Sequence, residues 1–254
     1  MRAILIGLVL FVLLTPTLAP YDPMQTAPVN QLAPPSSAHL LGTDLLGRDV
    51  LSGTLVGGQH TLLIAALATT IAVIPGLLIG LLAVFSTLDR LLSAFMNAIL
   101  AFPGLLLALL VLTLVGQGAF ALALATGVTQ IAPCARVIRA AVISVRSSAY
   151  VEAARSLGAS ESRLIAAHIL PNILPTALAY IGVVFAYAIL NSAALSFLGL
   201  GGQPGIPDWG VMLYEGRQAF RTAPWIAFAP GIAITLTVML VNRAADRFTS
   251  PQSR

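Results

Sequence analysis

An all-α bundle spanning a membrane is the fold class that the sequence predicts, and three observations carry that reading. Hydrophobic residues make up 58% of the 254, charged residues only 9%, and the mean hydropathy is +0.94. A soluble domain carries about 25% charged residues, so this chain has too few to cover a water-exposed surface. The apolar residues fall in long runs rather than in period-two alternation, which favours helices over barrel strands. The arginines, finally, are shared unevenly between alternate loops, as they are in chains with a fixed orientation across a bilayer.

Runs of about 17 to 25 apolar residues cross a hydrocarbon core of roughly 30 Å. Six such runs lie near Ala3–Ala19, Leu62–Phe85, Ala94–Val115, Ala119–Ala135, Ile173–Leu195 and Trp225–Val241. The fourth is the weakest, because Thr126, Thr129, Gln130 and Pro133 interrupt it. The first can also be read as a cleaved signal peptide, although Thr17-Leu18-Ala19 is a poor cleavage site before Pro20. With the N-terminus in the cytoplasm, ten arginines lie inside and only Arg48, Arg217 and Arg221 outside, so both termini are expected inside. In the second run Gly76 and Gly80 form a small-xxx-small pair that lets another helix approach closely.

Composition excludes several chemistries. All 13 basic residues are arginine, and a phosphate-binding P-loop needs its lysine, so ATP hydrolysis by that route is not expected. Cys134 is alone, and no CxxC or HExxH pattern points to a metal or catalytic site. The basic residues form no patch interleaved with aromatics, so no nucleic-acid partner is expected. The apolar runs hold no acidic residue, where an ion-coupled carrier needs one. An intramembrane protease would need serine and histidine, or paired acids, at membrane depth. His39, His60 and His168 instead lie in loops or at a span edge. A self-contained channel is the other rival.

One polar stretch stands out between two apolar runs: YVEAARSLGASESRLIAAHILPN, Tyr150 to Asn172. Tyr150 to Leu157 reads as a short helix, which Gly158 ends by taking a left-handed conformation cheaply. Ser160 can cap a second helix, which Pro171 is expected to end. The product is a helix–turn–helix bracket lying below the membrane, with Ala153 and Ala154 permitting close approach by another protein surface. His168 is expected to pack at the bracket.

These residues resemble the EAA signature of permease subunits of bacterial ABC importers. Three other stretches narrow the match: LLGTDLLGRDVLS at Leu40–Ser52, LAFPGLLLALLV at Leu100–Val111 and LSFLGLGGQPGIPDWGVMLYEGR at Leu195–Arg217. Together they look like the dipeptide/oligopeptide/nickel branch, specifically its C-type subunit, over nearly the whole chain. The sequence departs from that pattern where Asn97 replaces a common aspartate and Gly53 a usual arginine.

The resemblance implies a single transmembrane permease domain over 1–254, with the first span and an outer loop in 1–59 and a core in 60–245. Within that core, 150–172 would couple to the ATPase subunits through Tyr150, Val151, Glu152, Ala153, Ala154, Arg155, Leu157, Gly158, Ala159 and Pro171. Glu152 is expected to steady the bracket through hydrogen bonds. The implied partners are a second, homologous permease, two cytoplasmic ATPases that carry the ATP and magnesium, an extracytoplasmic binding protein and membrane lipid. No cofactor is expected on this chain. Peptides are the leading solute, and nickel or a metal–metallophore chelate comes next.

Asp44, Arg48, Asp49, Asp208 and Trp209 in the outer loops are candidates for contact with the binding protein, although local salt bridges explain the first three equally well. Trp209, Tyr214 and Trp225 also suit interfacial anchors. Asn97, Gln130, Asn191 and Ser192 are polar at or near membrane depth. They suit hydrogen bonds between helices, or a translocation path.

Overall fold

The computed structural model describes residues 7, 10–12, 14–15, 17–84, 89–201 and 206–247, with backbone alone at 248–249. Among these, four helices are long and apolar enough to cross a membrane, five if a sharply bent pair is counted as one span. Residues 3–6, 8–9, 13 and 16 of the expected first span, Ala3–Ala19, lie outside the described residues, as do Phe85 and Gly202–Gly205.

Helix α1, Val50–Ala83, starts twelve residues before the run that hydropathy picks out. Asp49 causes the early start: its carboxylate accepts from the Ser52 backbone N–H at 2.8 Å and from Ser52 Oγ at 2.7 Å. That is an N-cap satisfying a donor left free at the helix start. At 34 residues the helix is about 51 Å long, well beyond the hydrocarbon thickness. Its partner is α4, Ala119–Arg146. A methyl group at Gly76 would stand 2.7 Å from Cys134 Cβ, and one at Gly80 would stand 2.6 Å from the Ala135 carbonyl oxygen. The small pair therefore does bring two backbones together.

The third expected span is not one helix. Helices α2, Asp89–Leu100, and α3, Gly104–Val115, meet at 91°. Pro103 has no N–H to donate and pushes Phe102 out of the helical region, so the chain turns at Ala101–Pro103. The fourth span, weakest by composition, is the central one: 67% of its most apolar window is buried, against 39% or less in the others. Hydropathy under-rated it because α4 packs against protein, where polar side chains find partners. Thr126, Thr129 and Gln130 are all buried there, and Thr129 Oγ1 donates within the helix to the Thr126 carbonyl at 2.7 Å.

Helix α5, Ala149–Ser156, follows α4 after two serines. Helix α6 runs unbroken over Glu161–Phe197 and contains a π turn at Leu164–Ile169. Pro171 therefore does not end the second helix of the bracket. It stands in the first turn of the regular α-helical part, where a missing N–H is tolerated. The second arm of the bracket is thus the end of a membrane span rather than a separate helix. Helix α7, Trp209–Gly216, and helix α8, Trp225–Thr249, complete the chain.

The largest core cluster joins α1, α3, α4, α6, α7 and α8 around Leu122, Ile189, Leu195 and Trp209. A second lies toward the bracket, with Ile138, Val142, Ile169 and Ile173. A third, with Val50, Met212 and Ile226, lies under the 20–49 loop at the opposite end, called here the cap end.

Candidate functional site

The bracket is built by backbone geometry. After α5, Gly158 takes φ +86°. Its N–H donates to the Arg155 carbonyl at 3.0 Å, and the Ala159 N–H donates to the Ala154 carbonyl at 3.1 Å. This pair of bonds is a Schellman motif, and it uses a glycine because other residues are strained at positive φ. Nothing lies within 4 Å of where a Gly158 side chain would begin, so the constraint there is conformational rather than steric. Ser160 then caps α6, its Oγ accepting from the Arg163 N–H at 3.4 Å. Arg155 Nε reaches across the turn to Glu161 Oε1 at 3.2 Å.

Few side chains tie the bracket down. Val151 of α5 and Leu164 of α6 are both fully buried, while the Tyr150 and His168 rings lie 6.2 Å apart. The rest faces outward. Leu157 is 88% exposed, and Tyr150 and Ala153 are exposed too. Glu152 is exposed and makes no hydrogen bond or ion pair among the described residues, so it does not steady the bracket as expected. Its carboxylate lies in the first turn of α5, where the helix dipole favours it without any side-chain partner.

At the cap end the candidates for docking are consumed inside the chain. Arg48 Nε donates to Asp44 Oδ2 at 2.5 Å, and its Nη2 donates to Glu215. Burial alone would lower the Arg48 pKa, but the two carboxylates outweigh it and hold the guanidinium above its ordinary range. Asp49 caps α1 and accepts from His39 Nδ1 at 2.9 Å. Asp208 caps α7, accepting from the Gly210 and Val211 N–H groups at 2.7 and 2.9 Å, with Ser196 Oγ at 3.2 Å. Burial pushes its carboxyl above the usual carboxylate range, against the pull of those donors.

Trp209 is 2% exposed; its Nε1 donates to the Thr54 carbonyl at 2.8 Å and its N–H to Thr61 Oγ1 at 3.1 Å. It is therefore neither an interfacial anchor nor a surface contact. The Trp225 Nε1 likewise donates inward, to the Thr43 carbonyl at 3.1 Å. Asp49, Asp208 and Trp209 cannot present their side chains to a binding protein, because caps and core packing occupy them.

The four candidates for a path do not converge on one surface. Asn97 on α2 is exposed and accepts from Arg136 of α4 at 2.7 Å. Gln130 is buried. Asn191 Nδ2 and Ser192 Oγ donate to carbonyls of their own helix, those of Tyr187 and Ile189, at 3.0 and 3.1 Å. Two further residues escaped the sequence reading. Arg139 of α4 grips Asp89 of α2 through two bonds, 2.9 and 2.8 Å. The one available signal was Asp89 itself, the lone acid between Asp49 and Glu152.

Comparison with known proteins completes the site. The family model described as "Binding-protein-dependent transport system inner membrane component" matches residues 68–250, a stretch that includes the whole bracket. The di/tripeptide transport system permease protein DppC of Pseudomonas aeruginosa is 38% identical over 242 residues, covering 92% of this chain and 80% of that protein. The glutathione transport system permease protein GsiD of Pectobacterium atrosepticum is 35% identical over 232 residues, covering 90% and 77%. In fold, the chain resembles one in the inward-facing MetNI methionine ABC transporter, with a TM-score of 0.65, 20% identity and coverage of 78% and 95%. An amino acid ABC transporter gives a TM-score of 0.59 at 25% identity, with coverage of 78% and 91%. The helical fold, the bracket and these likenesses lead to one assignment: the chain belongs to the family of binding-protein-dependent transport system inner membrane components.

Proposed function

We propose that the chain is the permease subunit of an ATP-driven importer that moves short peptides across the cytoplasmic membrane. The bracket is the observation that carries this reading. It is a short helix ended by a Schellman turn, with Leu157 exposed at its tip and its second arm continuous with a membrane span. An ATPase seated on Tyr150–Ala159 would push or tilt α5 and, through the unbroken α6, move a helix in the membrane. Two such ATPases would supply the ATP and magnesium, and a second, homologous permease would complete the pathway. A binding protein would deliver the solute at the cap end.

Peptides are favoured because relatives covering about nine-tenths of this chain are named for di/tripeptide and glutathione transport. The arginine distribution supports both termini on the cytoplasmic side.

The test is uptake by proteoliposomes holding this chain with its sister permease, ATPases and binding protein. Labelled dipeptides should accumulate only when ATP and all partners are present. Uptake by the isolated chain without ATP would sink the reading in favour of a channel. Orientation is checked by cysteine labelling in a Cys134→Ala background. Phe220→Cys should react with an impermeant reagent added from outside, and Ser160→Cys should not.

A further inference from the structure

Helix α2 is held to the bundle in an unusual way. Met96 is its one buried residue, set with the partly buried Ile99 and Leu100 against Ala132 and Ala135 of α4 and Ile79 of α1. Leu91 and Phe95 are exposed, and so is Phe102 in the bend that follows. At that bend the helix leaves α3 at 91°, so it projects as an arm rather than continuing a span.

Polar side chains set where the arm lies. Arg139 and Arg136, one turn apart on α4, reach two points on α2 about two turns apart. Arg139 grips both carboxylate oxygens of Asp89, and Ser93 Oγ adds a bond to Oδ1 at 3.3 Å. Arg136 donates to Asn97. The apolar core contacts of α2 are confined to Met96, Ile99 and Leu100 in its second half, so the Asp89–Arg139 pair is what ties down its start, and the two polar points together fix the arm's angle as well as its distance.

The arginines also stand close to the moving part. Helix α4 passes into α5 through Ser147 and Ser148 alone, whose N–H groups are bonded back to Ile143 and Val145. The part of α4 that carries the arginines is anchored in the core by Ile138 and Val142, both fully buried. A tilt imposed on the bracket therefore reaches Arg139 within about two helical turns. The Asp89–Arg139 pair is partly exposed, so breaking it costs far less than breaking a buried pair would. Such a contact can open and re-form in every cycle.

We propose that Arg139 and Arg136 are positioning residues that staple α2 as a movable arm against α4, so that movement of the bracket changes the arm's angle at the Pro103 bend. This inference rests on the permease reading for its driving force, but the staple itself can be examined without nucleotide. The bland alternative is that the two arginines only add stability to a static fold.

The experiment reads the bend directly. Spin labels are placed on Phe95→Cys in α2 and Leu114→Cys in α3, both exposed, in a Cys134→Ala background. The chain is assembled with its sister permease and ATPases in lipid nanodiscs. One narrow distance distribution is expected without nucleotide, with a shift after trapping with ATP and vanadate. Arg139→Gln or Asp89→Asn should broaden the nucleotide-free distribution at least twofold, and Arg136→Gln should broaden it less. The exchange Asp89→Arg with Arg139→Asp should restore the narrow distribution.

An unchanged distribution in Arg139→Gln and Asp89→Asn would overturn the staple. So would an assembled charge exchange that remains broad. No shift on vanadate trapping would overturn the link to the bracket. If the ATPases do not co-purify with the unaltered chain, the permease reading fails, and the nucleotide-free comparison still judges the staple.

Discussion

At the cap end, Arg48, Asp44 and Glu215 join the 20–49 loop to α7, while Asp49, Asp208 and Trp209 are buried and bonded within the chain. At the bracket, Tyr150, Glu152 and Leu157 are exposed, and the shape rests on two backbone hydrogen bonds around Gly158. Both regions are polar interruptions of an apolar chain, yet they use polarity differently. The cap end spends its charges on itself, and so contributes to the stability of the fold. The bracket leaves its side chains unspent, as a surface that becomes buried only against another protein must do.

Substitutions at the cap end should break the fold in graded steps. Trp209→Ala removes a fully enclosed ring and its Nε1 hydrogen bond to the Thr54 carbonyl, and should cost about 3–5 kcal/mol. Thermal unfolding in detergent checks this, and a loss under 1 kcal/mol would show that α7 is not part of the core. Arg48→Met strands two carboxylates. Because Glu215 is a third exposed, the expected loss is about 2–3 kcal/mol, below that of a fully buried pair.

Asp208→Ala removes a helix cap and should cost about 1 kcal/mol, whereas Asp208→Asn can still accept from both N–H groups and should cost less. The asparagine variant also exposes a pH dependence. Burial raises the folded pKa of Asp208, so its contribution is complete below the ordinary carboxylate value and is lost as pH climbs through the raised value. The melting temperature of the wild type should therefore fall relative to Asp208→Asn as pH rises from about 4. A parallel pair of curves would contradict the assignment.

The smallest effect should come from the bracket. Arg155→Ala removes an exposed pair with Glu161, and the expected change is about 0–1 kcal/mol.

The contrast between the ends also explains what could be read from the sequence. The bracket was legible because its hydrogen bonds join residues six apart or fewer, so contiguous residues encode it. Two details were misread: Glu152 makes none of the expected bonds, and Pro171 does not terminate the helix, because proline breaks a helix interior but suits the first turn after a π segment. The apolar runs located the spans but not their ends. The first third of α1 carries three glycines and four polar residues; the Asp49 cap starts it, and its Gly57 and Gly58 lie close against Asp208 and Trp209 across the bundle. The cap network was not legible at all, since Arg48 and Glu215 are 167 positions apart. Nor could composition show that the polar residues of α4 face protein, which is why the central helix resembled the weakest.

Gly158 offers the most direct measurement of the difference between the two ends. With open space around its Cα, Gly158→Val should cost only about 1–2 kcal/mol through strain at positive φ, and the protein should still insert and pair with its sister permease. The Schellman turn would nevertheless be lost, and α5 would leave its register with α6. Quantitative pull-down of the ATPases by wild-type and Gly158→Val permease, at matched membrane levels, is the test. Loss of ATPase association with near-normal expression is the predicted result; full ATPase binding by the valine variant would contradict the account of the bracket as the coupling handle.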